Sequence, residues 1–376
     1  MHGRDPGEHH RVATPLELLF DLCFVVAVAQ AAASLHHAIA HGHAAEGVVG
    51  FGLVFFAIWW AWMNFTWYAS AYDTDDIAYR LKVLVQIVGV LVLAAGVPRA
   101  FAGRDYSIVT LGYVIMRVGL VLCWLRARSD PDPGRRRTAT RYAVGIAIVQ
   151  AGWFALALVP VEWWLAGWFV LMPAELAVPV WAERHAATRW HPHHIVERYG
   201  LLTLITIGES VLAATVAIQK AVDGGHLAAD LIALIAGAIA TLFAMWWIYF
   251  DHHPDVTRTS RTSFIWGYGH YFIFAALAAT GAGIAAATDA ITGEGHLALW
   301  IAGAAIAIPA AVYLLAVWLL IVLPVERGAR TTLGFLGGTA AALAAIATPW
   351  PAAVVGATMV AVVAITRPLH HGERDH

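Results

Sequence analysis

The stretch "ERYGLLTLITIGES", Glu197 to Ser210, decides how this chain is read. It opens on a charged pair, runs apolar to a second carboxylate at Glu209, and stays largely apolar beyond it. A run of this kind over about 195–219 suits a helix crossing a bilayer, which needs roughly 20 apolar residues. Glu209 is the anomaly. An ionisable group in hydrocarbon is costly, so it marks a functional site until a partner or water accounts for it.

Runs of the same kind recur along the chain. Of 376 residues, 60% are hydrophobic and 13% charged, where a soluble domain carries about 25% charged residues. The fold expected is all-α: a polytopic transmembrane helical bundle. Only helices and closed barrels satisfy their backbones in lipid, and these runs exceed the ~9–11 residues of a barrel strand. Twelve spans are expected, at about 15–36, 48–70, 77–97, 106–126, 140–159, 162–182, 195–219, 228–251, 263–287, 296–323, 331–347 and 350–366. The lipid bilayer is therefore the first partner. A net charge of -2 argues against nucleic acid. Cys23 and Cys123 each sit in an apolar run outside any CxxC pair and read as small core residues. "AVAQA" resembles a signal-peptide cleavage site, but Glu17 and Asp21 do not suit a signal sequence.

Lys and Arg set the expected orientation. Of 23, nineteen fall on the side holding both termini and the even-numbered loops, among them Arg4, Arg11, Arg135, Arg136, Arg137, Arg258 and Arg374. The opposite side holds Arg99, Arg104 and Lys220. Both termini are expected in the cytoplasm. An internal repeat is also expected. "FAIWWAWMN" from Phe56 resembles "FAMWWIYFD" from Phe243, and "ELLFDLCFVVAV" from Glu17 resembles "ERYGLLTLITIG" from Glu197. Two six-span halves, residues 1–182 and 183–376, would then share one orientation as a 6+6 parallel repeat. The paired tryptophans Trp59–Trp60 and Trp246–Trp247 read as repeat-related packing.

The first span opens "TPLELLFDL", with Thr14 as N-cap, Pro15 at N1 and Glu17 at N3, the pattern of a capping box. Asp21 lies one turn deeper on the same face, beyond the reach of capping. Its expected partners are Arg80, Lys82 or Arg117. Glu197 holds the place of Glu17 at the seventh span. Glu209, about 18 Å further along the helix, is the foremost candidate for binding a proton or cation, with Gly208 beside it allowing close helix contact or a local break. His270 is intramembrane and is expected to pair with Asp251. Glu175 is expected to pair with Arg184 or Arg117. His193 and His194 stand four and three residues before Glu197, a spacing that permits a weak metal site. No HExxH pattern, Walker motif, GxGxxG loop or GxSxG elbow occurs, so no cofactor is expected.

"TPLELLFDLCFVVAVAQ", "PVWAERHAATRWHPHHIVERYGLLTLITIGESVLA" and "WGYGHYFIFAALAATGAG" together resemble the bacterial low temperature requirement protein A family. The resemblance covers most of the chain. It implies an integral protein of the bacterial inner membrane, named for a growth phenotype rather than an activity. Its motif maps onto Glu17, Asp21, His194, Glu197, Gly208, Glu209 and His270. The leading functional expectation is a secondary transporter or ion-conducting protein acting on a small ion or solute. The two halves would rock around a site at Glu209, with Asp21 and His270 lining the cytoplasmic path. The alternatives are a membrane-embedded His/acid enzyme built from His193, His194, Glu197, Asp251 and His270, and a structural or cold-responsive membrane protein.

Overall fold

The computed structural model describes residues 12–223, 229–252, 260–293 and 297–367. Arg4, Arg11, Arg258 and Arg374, part of the charge asymmetry above, lie outside the described residues. Among the described residues there are twelve α-helices and no strand. They are α1 (Pro15–Ala40), α2 (Ala44–Tyr72), α3 (Ile77–Gly103), α4 (Ser107–Ala127), α5 (Pro133–Leu156), α6 (Val161–Ala182), α7 (Pro192–Asp223), α8 (Ala229–Asp251), α9 (Ser260–Thr292), α10 (Leu299–Val317), α11 (Ala329–Ala344) and α12 (Pro351–Thr366). A π-helical turn, Trp318–Val322, extends α10, and a 3-10 turn, Ala345–Ala347, ends α11.

Each helix falls on one of the twelve expected spans, with ends that differ by a few residues, and ten are long and apolar enough to cross a membrane. The other two depart for local reasons. Helix α5 begins on Arg135, Arg136 and Arg137, which places charge in its first turns. Helix α12 has 16 residues, about 24 Å at 1.5 Å per residue.

Local chemistry sets several of the ends. Asp76 caps α3 by accepting from the Tyr79 N–H at 2.9 Å, and Asp132 caps α5 through the Arg135 N–H at 2.9 Å, with Pro133 following. Asp76 also accepts from Arg126 of α4 at 2.7 Å. Those hydrogen bonds hold its carboxyl well below the usual carboxylate range. Arg104, at φ 54, turns the chain out of α3 in the left-handed region.

The chain forms two compact units. The first takes residues up to Ser34 together with Gly50–Leu201; the second takes Leu35–Val49 together with the chain from Leu202 onward. In the first, α3 and α4 pack backbone to backbone. A Cβ on Gly112 would stand 2.3 Å from the Leu93 nitrogen, so only glycine permits the approach. Trp124 of α4 stacks on Tyr142 of α5 at 4.0 Å. In the second unit, α8 meets α12 in the same way: a Cβ on Gly237 would lie 2.2 Å from the Ala352 carbonyl oxygen. Lipid tails are as apolar as leucine, so such contacts hold helices together by close packing rather than by exclusion of water. Among the small residues of α11, Gly338 and Gly334 face α12, while Gly337 faces open space.

Gly112→Leu or Gly237→Leu should therefore cost about 1–3 kcal/mol or more by forcing the backbones apart. Gly337→Ala should be neutral or stabilise by up to ~1 kcal/mol, because only helix propensity changes. Thermal melting of the detergent-solubilised protein checks both, and an unperturbed Gly112→Leu melt would remove the close-packing account.

Candidate functional site

Helix α1 places Glu17 and Asp21 one turn apart on one face, and α7 places His194 and Arg198 one turn apart on one face. The two ladders meet inside the first unit. The capping box forms as expected: the Thr14 N–H donates to Glu17 Oε2 at 2.8 Å, and the Glu17 N–H donates to Thr14 Oγ1 at 3.3 Å. The other Glu17 oxygen, Oε1, lies 3.0 Å from His194 Nε2 and 3.1 Å from Arg198 Nη1. Asp21 accepts from Arg198 Nε at 2.9 Å, from Arg198 Nη2, and from Trp62 Nε1 of α2 at 2.7 Å. All four ionisable side chains are fully buried. Two carboxylates and one guanidinium sum to a single negative charge, which a proton on His194 would cancel. Asp21 thus finds its cation on α7, not at Arg80, Lys82 or Arg117. Arg80 binds Asp75, and Lys82 donates to the Ala78 carbonyl. Glu197 accepts from the Ala13 N–H at 3.1 Å, so it too serves the entry of α1.

A second charged centre in the same unit joins α2, α4, α5 and α6. Glu175 receives four donors: Arg117 Nη2 at 2.7 Å, Trp60 Nε1 at 2.8 Å, Tyr113 Oη at 2.9 Å and Trp153 Nε1 at 3.1 Å. Arg117 and Glu175 are both 1% exposed. Of the two expected partners for Glu175, the structure selects Arg117. Trp60 therefore hydrogen-bonds to a buried carboxylate as well as packing, whereas its sequence counterpart Trp247 is 39% exposed under Arg367.

In the second unit, Glu209 is half-buried near the middle of α7. Among the described residues no hydrogen bond or ion pair holds it. The helix runs unbroken through Gly208, and nothing stands within 4 Å of a Cβ placed there, so neither the expected break nor the expected close contact occurs. The close approach is made on another face of α7, where Ser210 donates to the Leu277 carbonyl at 3.0 Å and packs on Gly281 of α9. His270 is fully buried; its Nδ1 lies 2.7 Å from the Trp266 carbonyl and its Nε2 3.1 Å from the Tyr249 hydroxyl. The carbonyl assigns the ring proton to Nδ1. Asp251, the expected partner of His270, is exposed at the end of α8. His193 is exposed while His194 is buried, so the two rings diverge and His194 turns toward Glu17 rather than toward Glu197. Among the described residues no group of three metal-ligating side chains converges.

The family profile described as "Bacterial low temperature requirement A protein (LtrA)" matches residues 12–366. The chain belongs to the LtrA family. It is 28% identical over 289 residues to "Uncharacterized protein RA0937" of Rhizobium meliloti (strain 1021), a match covering 71% of this chain and 67% of that protein. No solved structure matches. Membership places this LtrA chain among multi-pass membrane proteins and leaves its chemistry to its own residues.

Sequence reasoning missed Arg198 as the hub between Glu17 and Asp21. The signal was present: an acid pair and a His/Arg pair, each at i, i+4. It also missed Trp60, Trp62, Tyr113 and Trp153 as donors, since a Trp or Tyr in an apolar run looks the same whether its polar edge is engaged or idle.

Removing one member of a buried ion pair leaves uncompensated charge and costs about 3–5 kcal/mol, while removing both members costs far less. Arg198→Leu in this LtrA protein should therefore melt early, and Arg198→Leu combined with Glu17→Gln and Asp21→Leu should recover most of the loss. Thermal unfolding followed by size exclusion is the check; a single variant as stable as the parent would refute a structural ion pair.

Proposed function

We propose that this LtrA protein is a secondary transporter or ion-conducting protein of the inner membrane, with both termini cytoplasmic and Glu209 as the group that binds a proton or cation. One observation carries the reading. Glu17, Asp21 and Glu175 are held by cations and hydrogen-bond donors, whereas Glu209 sits mid-helix with none among the described residues. A carboxylate without a partner in a low-dielectric setting is stable only when protonated, when wet, or when holding a cation. Each of those states can exchange, which is what coupling requires. The saturated clusters serve the opposite purpose. Asp21 is tied to Arg198, and His270 is sealed between Tyr249 and Trp266, so both are assigned to holding helices rather than to lining a path. The two six-span halves, 1–182 and 183–376, remain the units proposed to rock around the site.

The test is charge movement. Protein reconstituted on a solid-supported membrane should give transient currents after jumps in pH or sodium concentration. Glu209→Gln should abolish them. Because Glu209 makes no hydrogen bond among the described residues, the same variant should leave the melting temperature within about a degree of the parent, in keeping with the small effect of surface-like substitutions. Equal currents from parent and variant would overturn the assignment.

A further inference from the structure

A cavity of about 40 Å³ lies among α2, α4, α5 and α6 of the first unit. Its walls include six aromatic rings, Phe56, Tyr106, Tyr113, Trp153, Trp164 and Trp168, and no charged side chain. Tyr106 and Trp164 stack on each other at 4.2 Å at one end, beside the α3–α4 and α5–α6 connections. The arginine-rich connection between α4 and α5 is at the opposite end of those helices. Deeper in, Trp168 meets Phe56 edge-on at 5.5 Å. At the floor, Tyr113 and Trp153 both donate to Glu175 Oε1, at 2.9 and 3.1 Å.

The lining selects for one ligand chemistry. Aromatic faces carry negative potential, so they repel anions and attract cations. A ring whose N–H donates to a carboxylate is polarised further in that direction, as Trp153 is here. Tyr113 donates to the same carboxylate but already carries the Arg117 guanidinium 4.7 Å from its ring centroid, so the open faces are those of the other five rings. A small, strongly hydrated ion such as sodium needs oxygen ligands in place of its water, and the walls supply few. A methylated ammonium is weakly hydrated, spreads its charge over methyl groups, and is the cation that aromatic boxes hold. The size agrees. A water needs about 10–15 Å³ of such space, so the cavity admits roughly three waters, the size class of a small quaternary head.

We propose that this cavity binds a methylated ammonium group, presented by a free solute or by a choline lipid headgroup. The proposal is independent of Glu209 and is tested by binding, not flux. The full-length protein, in nanodiscs of phosphatidylglycerol, is titrated with tetramethylammonium chloride by calorimetry. Neopentyl alcohol is the neutral control of similar shape. Saturable binding of tetramethylammonium at least about tenfold tighter than that of the alcohol is expected. Trp164 makes no hydrogen bond among the described residues but stacks on Tyr106, so Trp164→Leu should still fold, with a melting temperature lowered by at most a few degrees, and weaken binding roughly tenfold, while Trp164→Phe recovers part of both. Repeating the titration in phosphatidylcholine nanodiscs assigns the source: weaker apparent binding identifies the lipid head as the occupant, and unchanged binding identifies a free solute. Equal affinity for the neutral alcohol, full affinity in Trp164→Leu, or no saturable binding in phosphatidylglycerol would overturn the proposal.

Discussion

The first unit depends on the Arg198 guanidinium held between Glu17 and Asp21. A bilayer cannot solvate an ion, so every charge placed between spans must bring its counter-charge with it. Here the requirement acts across the chain: two acids near its start are compensated by a residue on the seventh helix. That pairing brings α1 to α7, and the remaining lone pairs draw in Thr14, His194 and Trp62. Each additional donor lowers the cost of burial, and each also fixes the rotation of the helix that carries it.

Helix α2 shows how one short segment serves two such centres. Trp60 donates to Glu175 and Trp62 to Asp21. Two residues apart on a helix are separated by about 200°, so the two indoles point to nearly opposite sides. The Trp-rich run therefore places α2 between the charged centres, with its backbone buried and both indole N–H groups engaged. Trp246 and Trp247, in the similar letters of α8, are partly exposed and, among the described residues, donate to no buried acid. Letters that match in sequence have come to different uses, because among the described residues only the α2 pair meets buried acids.

Glu209 differs from all of these. The saturated acids are held by charged partners and hydrogen-bond donors; the unsaturated one is the group proposed to change state. Its neighbours in α7 divide the work along the helix. Near the start, His194 and Arg198 anchor α1; further on, Ser210 docks on α9 through Gly281; between them the acid has no partner among the described residues.

The amino-acid sequence by itself determined the class of this protein, the number and approximate placement of its helices, the capping box at Thr14 and Glu17, and the family. These follow from local physics: a helix satisfies its own backbone, and a long apolar run has no better place than lipid. The sequence also marked Asp21, Glu175 and Glu209 as acids needing an explanation, since burial is readable from the surrounding letters. Only the tertiary structure decided which explanation applies. Arg198 rather than Arg117 answers Asp21, Arg117 rather than Arg184 answers Glu175, His270 meets Tyr249 rather than Asp251, and Glu209 meets no hydrogen-bonding or charged partner among the described residues. Partner choice depends on the rotation and depth of each helix against the others, and that geometry is set jointly by glycine approaches and ion pairs that no single span contains.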